Sequence, residues 1–141
     1  MRHLIFALVL TPTMAFAQTA EEIAALVAQF QQESLDFAKN VASCTAFQQT
    51  YMVPGTGASL SRFVDGPSDG LCNIIFEAAD PAERDVRCRL DPPTLATFAS
   101  GWTELANNVL PDGSYKVSYP SDTPDGIRNV MLSGACTVDG Q

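Results

Sequence analysis

Four cysteines constrain this chain more than any other feature. They stand at Cys44, Cys72, Cys88 and Cys136. No two lie close enough for the paired C-x₂₋₄-C ligands of a structural zinc site, and there is no Cys-x-x-Cys redox motif. Thiols spread this widely suit structural disulfides, provided the chain matures in an oxidising compartment. The N-terminus meets that condition. Arg2 opens a basic start, an apolar run follows from Leu4 to Leu10, and Ala15-Phe16-Ala17 places small residues where a signal peptidase reads. Residues 1–17 therefore read as a cleavable signal peptide, because the run falls well short of the roughly 20 residues a bilayer requires. The expectation is one disulfide-stabilised domain over 18–141, soluble in the periplasm, with the extracellular medium as the alternative, and with no membrane insertion after cleavage.

The patterning of apolar residues predicts an α+β fold. Thr19-Ala20-Glu21-Glu22 has the form of a capping box. Ile23, Val27, Phe30, Phe37 and Val41 then make a helical stripe, interrupted by Ser34, which predicts a long N-terminal helix over about 19–42. An antiparallel meander of three to four strands follows. Residues 45–53 are ambiguous, 58–65 read as a strand, and turn formers at 65–70 lead to the next. Segments 71–78 and 82–90 alternate cleanly. A turn around Ala79-Asp80-Pro81 sets Ile74 opposite Val86 and Cys72 opposite Cys88. That register predicts a Cys72–Cys88 bridge, which leaves Cys44 to pair with Cys136. Asp91-Pro92-Pro93 opens a second helix bearing Leu95, Phe98, Trp102, Leu105 and Val109. Thr123-Pro124 is expected to cap a short C-terminal helix, and 135–138 reads as a final extended segment tied by the disulfide.

Charge excludes several functions. The sequence carries 16 acidic residues against 8 Lys and Arg, a net charge of −8. Cleavage would remove Arg2 and His3, making the mature chain more acidic and leaving it without histidine. Such a chain repels phosphate backbones, so nucleic acid is not an expected partner. A Ser-His or Cys-His nucleophile lacks its base, and zinc hydrolysis lacks its usual ligands. No catalytic residue, cofactor or metal is therefore assigned. Two carboxylate readings are weaker. Glu77, Asp80, Glu83 and Asp85 crowd one hairpin tip as a glycosidase pair might require, but a tip is solvated and reads better as a turn. Asp65 with Asp69, or Asp122 with Asp125, falls short of a calcium loop.

Binding is the better expectation. Arg62, Arg84, Arg87 and Arg89 fall in or beside the meander. Arg87 and Arg89 point away from the cysteine face and could form an anion- or carboxylate-binding patch, although a charged outer face paired to Asp85, Glu83 and their neighbours is the more ordinary reading. Trp102 sits on an apolar stripe and reads as core. Tyr115 and Tyr119, in the 111–123 loop, are candidate contact residues. The candidate binding set is thus Arg62, Arg87, Arg89, Tyr115 and Tyr119.

Phe63-Val64-Asp65-Gly66, Asp69-Gly70-Leu71-Cys72 and Arg87-Cys88-Arg89-Leu90-Asp91-Pro92-Pro93 resemble a pattern in small exported, cysteine-containing proteobacterial proteins of unknown function. The resemblance implies a similar fold and no mechanism. The sequence therefore supports a non-enzymatic binding protein whose partner is a protein or a small ligand. One alternative is an inhibitor of a hydrolase acting through Asp112 and Asp122. A second is a carboxylate-dependent hydrolase.

Overall fold

The computed structural model describes residues 18–54, 58–119 and 123–139. The proposed leader, the chain break at 55–57 and Asp122 lie outside the described residues. Helix α1 spans Ala20–Ser43 and begins with the expected box. Thr19 Oγ1 accepts from the Glu22 amide at 3.2 Å, and Glu22 Oε2 accepts from the Thr19 amide at 2.8 Å. The helix ends at Cys44, whose left-handed backbone (φ 50°) turns the chain toward the sheet. Its stripe buries Val27, Phe30, Phe37 and Val41. Ser34 does not interrupt that stripe; it is fully buried within it, its hydroxyl without a partner.

Strands β1 (Phe47–Met52), β2 (Ser59–Ser68), β3 (Leu71–Phe76) and β4 (Val86–Leu90) form an antiparallel meander. Helices α2 (Pro92–Asn108) and α3 (Asp125–Met131) follow, and β5 (Cys136–Val138) returns to pair with β4. The fold is α+β, as expected, with five strands in the order β1-β2-β3-β4-β5. The fifth is the expected C-terminal segment. α1 and α2 pack on each other and on the sheet face that carries Val64, Cys72, Ile74, Cys88 and Leu90. Asp91 caps α2, its carboxylate accepting from the Thr94 amide at 2.9 Å. Pro124, rather than Thr123, takes the cap position of α3, with no side-chain cap bond.

Two turns differ from expectation. Residues 65–70 are not one loop. β2 passes a bulge between Val64 and Gly66, where Gly66 adopts φ 103°, and runs on to Ser68. The turn itself is Asp69-Gly70, with φ 51° and 77°, a two-residue hairpin connection that positive φ at both positions suits. The β3–β4 connection is instead longer than a tight turn and occupies 77–85. Asp80 Oδ1 accepts from the Ala82 amide at 2.8 Å, and Asp85 Oδ1 accepts from the Ala78 amide at 3.1 Å.

The longer connection moves the register by two residues. Ile74 pairs with Cys88, Phe76 with Val86, and Cys72 with Leu90. The inward face is unchanged, because side chains alternate with period two, but Cys72 no longer faces Cys88. The expected pairing is therefore corrected. Cys44 bridges to Cys72, joining the end of α1 to β3. Cys88 bridges to Cys136, directly opposite it in the β4–β5 ladder. All four sulfurs are in disulfides.

α3 rests on α2 through two glycines. A Cβ built on Gly101 would lie 2.7 Å from the Ile127 amide nitrogen, and one on Gly126 would lie 2.8 Å from the Thr97 carbonyl oxygen. Only glycine at both positions permits this separation, and it sets Ile127, Arg128 and Met131 against the core.

Candidate functional site

Arg62 departs most from its expected place. Its charge groups it with Arg87 and Arg89, yet it lies on the inner face and is completely buried. Its phase explains this: Arg62 alternates with Val64 and pairs across β2–β3 with Phe76. The guanidinium carbon sits 4.1 Å from the Phe37 ring centroid, 4.0 Å from that of Tyr51 and 4.6 Å from that of Trp102. Such ring contacts stabilise a desolvated cation. Gln49, its neighbour on β1, accepts from Arg62 Nε at 2.8 Å and from Nη2 at 2.6 Å. Nη2 also donates to the Glu33 carbonyl at 3.2 Å.

Burial lowers the Arg62 pKa to about 10, against the opposing influence of Tyr51 and Glu33, so the group remains charged at neutral pH. Tyr51 is held above its ordinary value, chiefly by burial and despite Arg62. Among the described residues no carboxylate forms an ion pair with Arg62. Three buried polar atoms in this neighbourhood have no hydrogen-bond partner: Arg62 Nη1, Glu33 Oε2 and Trp102 Nε1.

Tyr51 and Trp102 separate Arg62 from a cavity of about 450 Å³, a volume typical of small-molecule sites. Six regions of the chain line it. α1 contributes Phe30, and β1 with its following residue contributes Tyr51 and Val53. β3 supplies Phe76, and α2 supplies Trp102 and Leu105. Tyr115 enters from the loop after α2, while Ile127, Arg128 and Met131 come from α3, with Leu132 after it. Phe76 and Trp102 stack with centroids 6.3 Å apart, and Phe37 meets Trp102 edge-on at 5.4 Å. The aromatic wall is thus fixed by its own packing. Leu132 is 80% exposed, unusual for a leucine beside an apolar cavity.

Arg128 is the charged side chain among the described lining residues. Its Nη2 donates to Asp125 Oδ1 at 2.7 Å, and its side chain is 28% exposed against 71% for Asp125.

The remaining candidates fall elsewhere. Arg87 and Arg89 do share the outer sheet face, both half-exposed. Arg87 pairs with Asp139 at 2.7 Å, and Arg89 lies 3.7 Å from Asp69. These acids, rather than Glu83 and Asp85, are their ion-pair partners. Of the two loop tyrosines, Tyr115 lines the cavity. Tyr119 packs against Tyr115 at 6.0 Å, and its hydroxyl accepts from Asn108 Nδ2 at 2.9 Å. Asp112 accepts from the amide and hydroxyl of Ser114, which lowers its pKa and ties it to its own loop. Asp80 and Asp85 close the 77–85 connection, so two carboxylates of that tip serve its backbone. Among the described residues no group of three or more His, Cys, Asp or Glu is placed to hold a metal ion. No described helix is long and apolar enough to cross a membrane.

Neither a family model, nor a curated protein, nor a solved structure matches this chain. What the site does must follow from its own residues.

Proposed function

We propose that this is a non-enzymatic binding protein that works in an oxidising compartment outside the cytoplasm, and that it holds a small, largely apolar molecule in the cavity between β1, α2 and α3. One observation carries the reading: large apolar and aromatic side chains from six regions converge on a concave space of about 450 Å³ in a small domain. A concave surface lined this predominantly by apolar and aromatic side chains, with one charged group among the described lining residues, has the composition of a small-molecule site. Two disulfides support both the compartment and the rigidity that a preformed site needs. Tyr115 carries the loop's part in binding.

The test is native mass spectrometry of protein recovered from its own host without detergent, paired with titration of the fluorescent apolar probe 1-anilinonaphthalene-8-sulfonate. The expected result is a co-purified small molecule and one saturable probe site quenching Trp102, the sole tryptophan. Leu105→Trp, which fills the cavity, should abolish both while the protein still melts cooperatively. Recovery of bare protein together with probe binding insensitive to Leu105→Trp would refute the reading.

A further inference from the structure

Resting on the cavity as the binding site, we infer that its ligand is an amphipathic organic anion, with an apolar body against the aromatic wall and a carboxylate at Arg128. Three separate features ask for negative charge or for an acceptor, and among the described lining residues no carboxylate asks for the opposite. Arg128 is the first. It is the charged lining residue, and it commits Nη2 to Asp125. A guanidinium has five N–H donors in a planar fork, so a second edge remains for a bidentate carboxylate. Asp125 is mostly in water, where its hold on Arg128 is weak.

Arg62 is the second feature. It carries its charge directly behind Tyr51 and Trp102, with no ion-pair partner among the described residues and with Nη1 unbonded. Glu33 acts on that charge from nearby without forming an ion pair with it, and a buried cation with an unbonded donor still makes the space in front of it more favourable for an anion, because little solvent intervenes to screen it. Trp102 Nε1 is the third. It belongs to a lining side chain that is 7% exposed, it has no acceptor, and an indole nitrogen can only donate. A ligand oxygen would satisfy it where an alkyl chain would not. The net charge of −8 does not oppose this at close range. Exposed charges are screened beyond about 8 Å at physiological salt, so the nearest cations decide.

The test compares three probes that share one alkyl body: decanoate, decanol and decyltrimethylammonium, each kept monomeric. Each is titrated into the disulfide-intact protein by calorimetry and by Trp102 fluorescence. Decanoate is expected to bind about tenfold more tightly than decanol, with the ammonium weakest, as one charge-assisted hydrogen-bonded pair predicts. Arg128→Gln should weaken decanoate about tenfold and leave decanol unchanged, so decanol reports that the cavity is still folded. Arg128→Lys should recover part of the loss. Equal binding of all three probes would overturn the anion and leave the cavity reading standing. Arg128→Gln weakening decanoate and decanol alike would overturn it too. Binding of none of the three would overturn both.

Discussion

Arg62 offers the sharpest test of the packing described for this domain. Arg62→Ala removes a fully buried side chain from among Phe37, Tyr51 and Trp102 and leaves Gln49 Oε1 without its two donors. An unpaired buried acceptor costs about 1–3 kcal/mol. The void left by a long side chain adds about 2–3 kcal/mol, offset in part because a cation no longer has to be desolvated. The expected loss is about 3–5 kcal/mol, a large share of the roughly 5–15 kcal/mol that holds such a domain together. Tm should fall by about 10–20 °C. Arg62→Met keeps most of the volume and discards the charge, so the remaining cost is the unpaired Gln49, about 1–3 kcal/mol. Arg62→Met with Gln49→Leu removes both halves of the polar pair and should return to within about 1 kcal/mol of the parent. Urea denaturation with the disulfides intact, followed by Trp102 fluorescence, reads all three. If Arg62→Met is as damaging as Arg62→Ala, the charge itself is indispensable and this ordering of terms is wrong. A loss below about 1 kcal/mol for Arg62→Ala would show that the three rings do not enclose it.

Non-reducing peptide mapping should return Cys44–Cys72 and Cys88–Cys136, and any Cys72–Cys88 peptide would contradict the register of β3 and β4. The two bridges close loops of 28 and 48 residues, so replacing either pair by alanines should cost about 3–4 kcal/mol in the chain-entropy account, measured by urea denaturation. Gly126→Ala drives a methyl toward the Thr97 carbonyl and should cost about 1–3 kcal/mol, while weakening probe binding because α3 carries part of the cavity wall. The bond from Thr94 depresses the Asp91 pKa below 3.8, so the folded protein holds this proton less tightly than the unfolded chain. Its stabilisation is therefore present above about pH 4 and fades as the pH falls through the lowered value; Asp91→Asn should flatten that part of a pH series of melting temperatures.

Helices were the most legible part of the sequence, because their signals are local. Thr19 with Glu22 and Asp91 with two prolines fix both starts within four residues, and the stripes of α1 and α2 are buried as their spacing implies. The β3–β4 register was half legible. Alternation fixes which residues face inward, but a shift of two residues preserves every facing, so only the length of the connection could decide it. Residues 77–85 form a longer connection closed by Asp80 and Asp85, and those side-chain bonds carry no pattern that alternation can see. The cysteine pairing inherited the same ambiguity. For Arg62 the phase it shares with Val64 on β2 points inward, and that phase is a better signal than the charge it shares with Arg87 and Arg89. Tyr115 and Trp102 could each be noticed alone, whereas the cavity joins residues between positions 30 and 132 that no spacing relates.

The corrected bridges change what oxidation does for this molecule. A Cys72–Cys88 bridge would have stapled two strands already joined by their own hairpin. Instead, Cys44–Cys72 ties the end of α1 to β3, and Cys88–Cys136 ties β5 to β4. α3 lies inside the loop that Cys88–Cys136 closes: it packs on α2 through Gly101 and Gly126, and it runs within a few residues into Cys136. With only seven residues, α3 is too short to persist without tertiary support. The Cys88–Cys136 bridge therefore anchors the wall that supplies Ile127, Arg128 and Met131 to the cavity, while Cys44–Cys72 anchors the α1 side that supplies Phe30. Each bridge thus secures a different wall, which links disulfide formation to completion of the site as well as to survival of the fold.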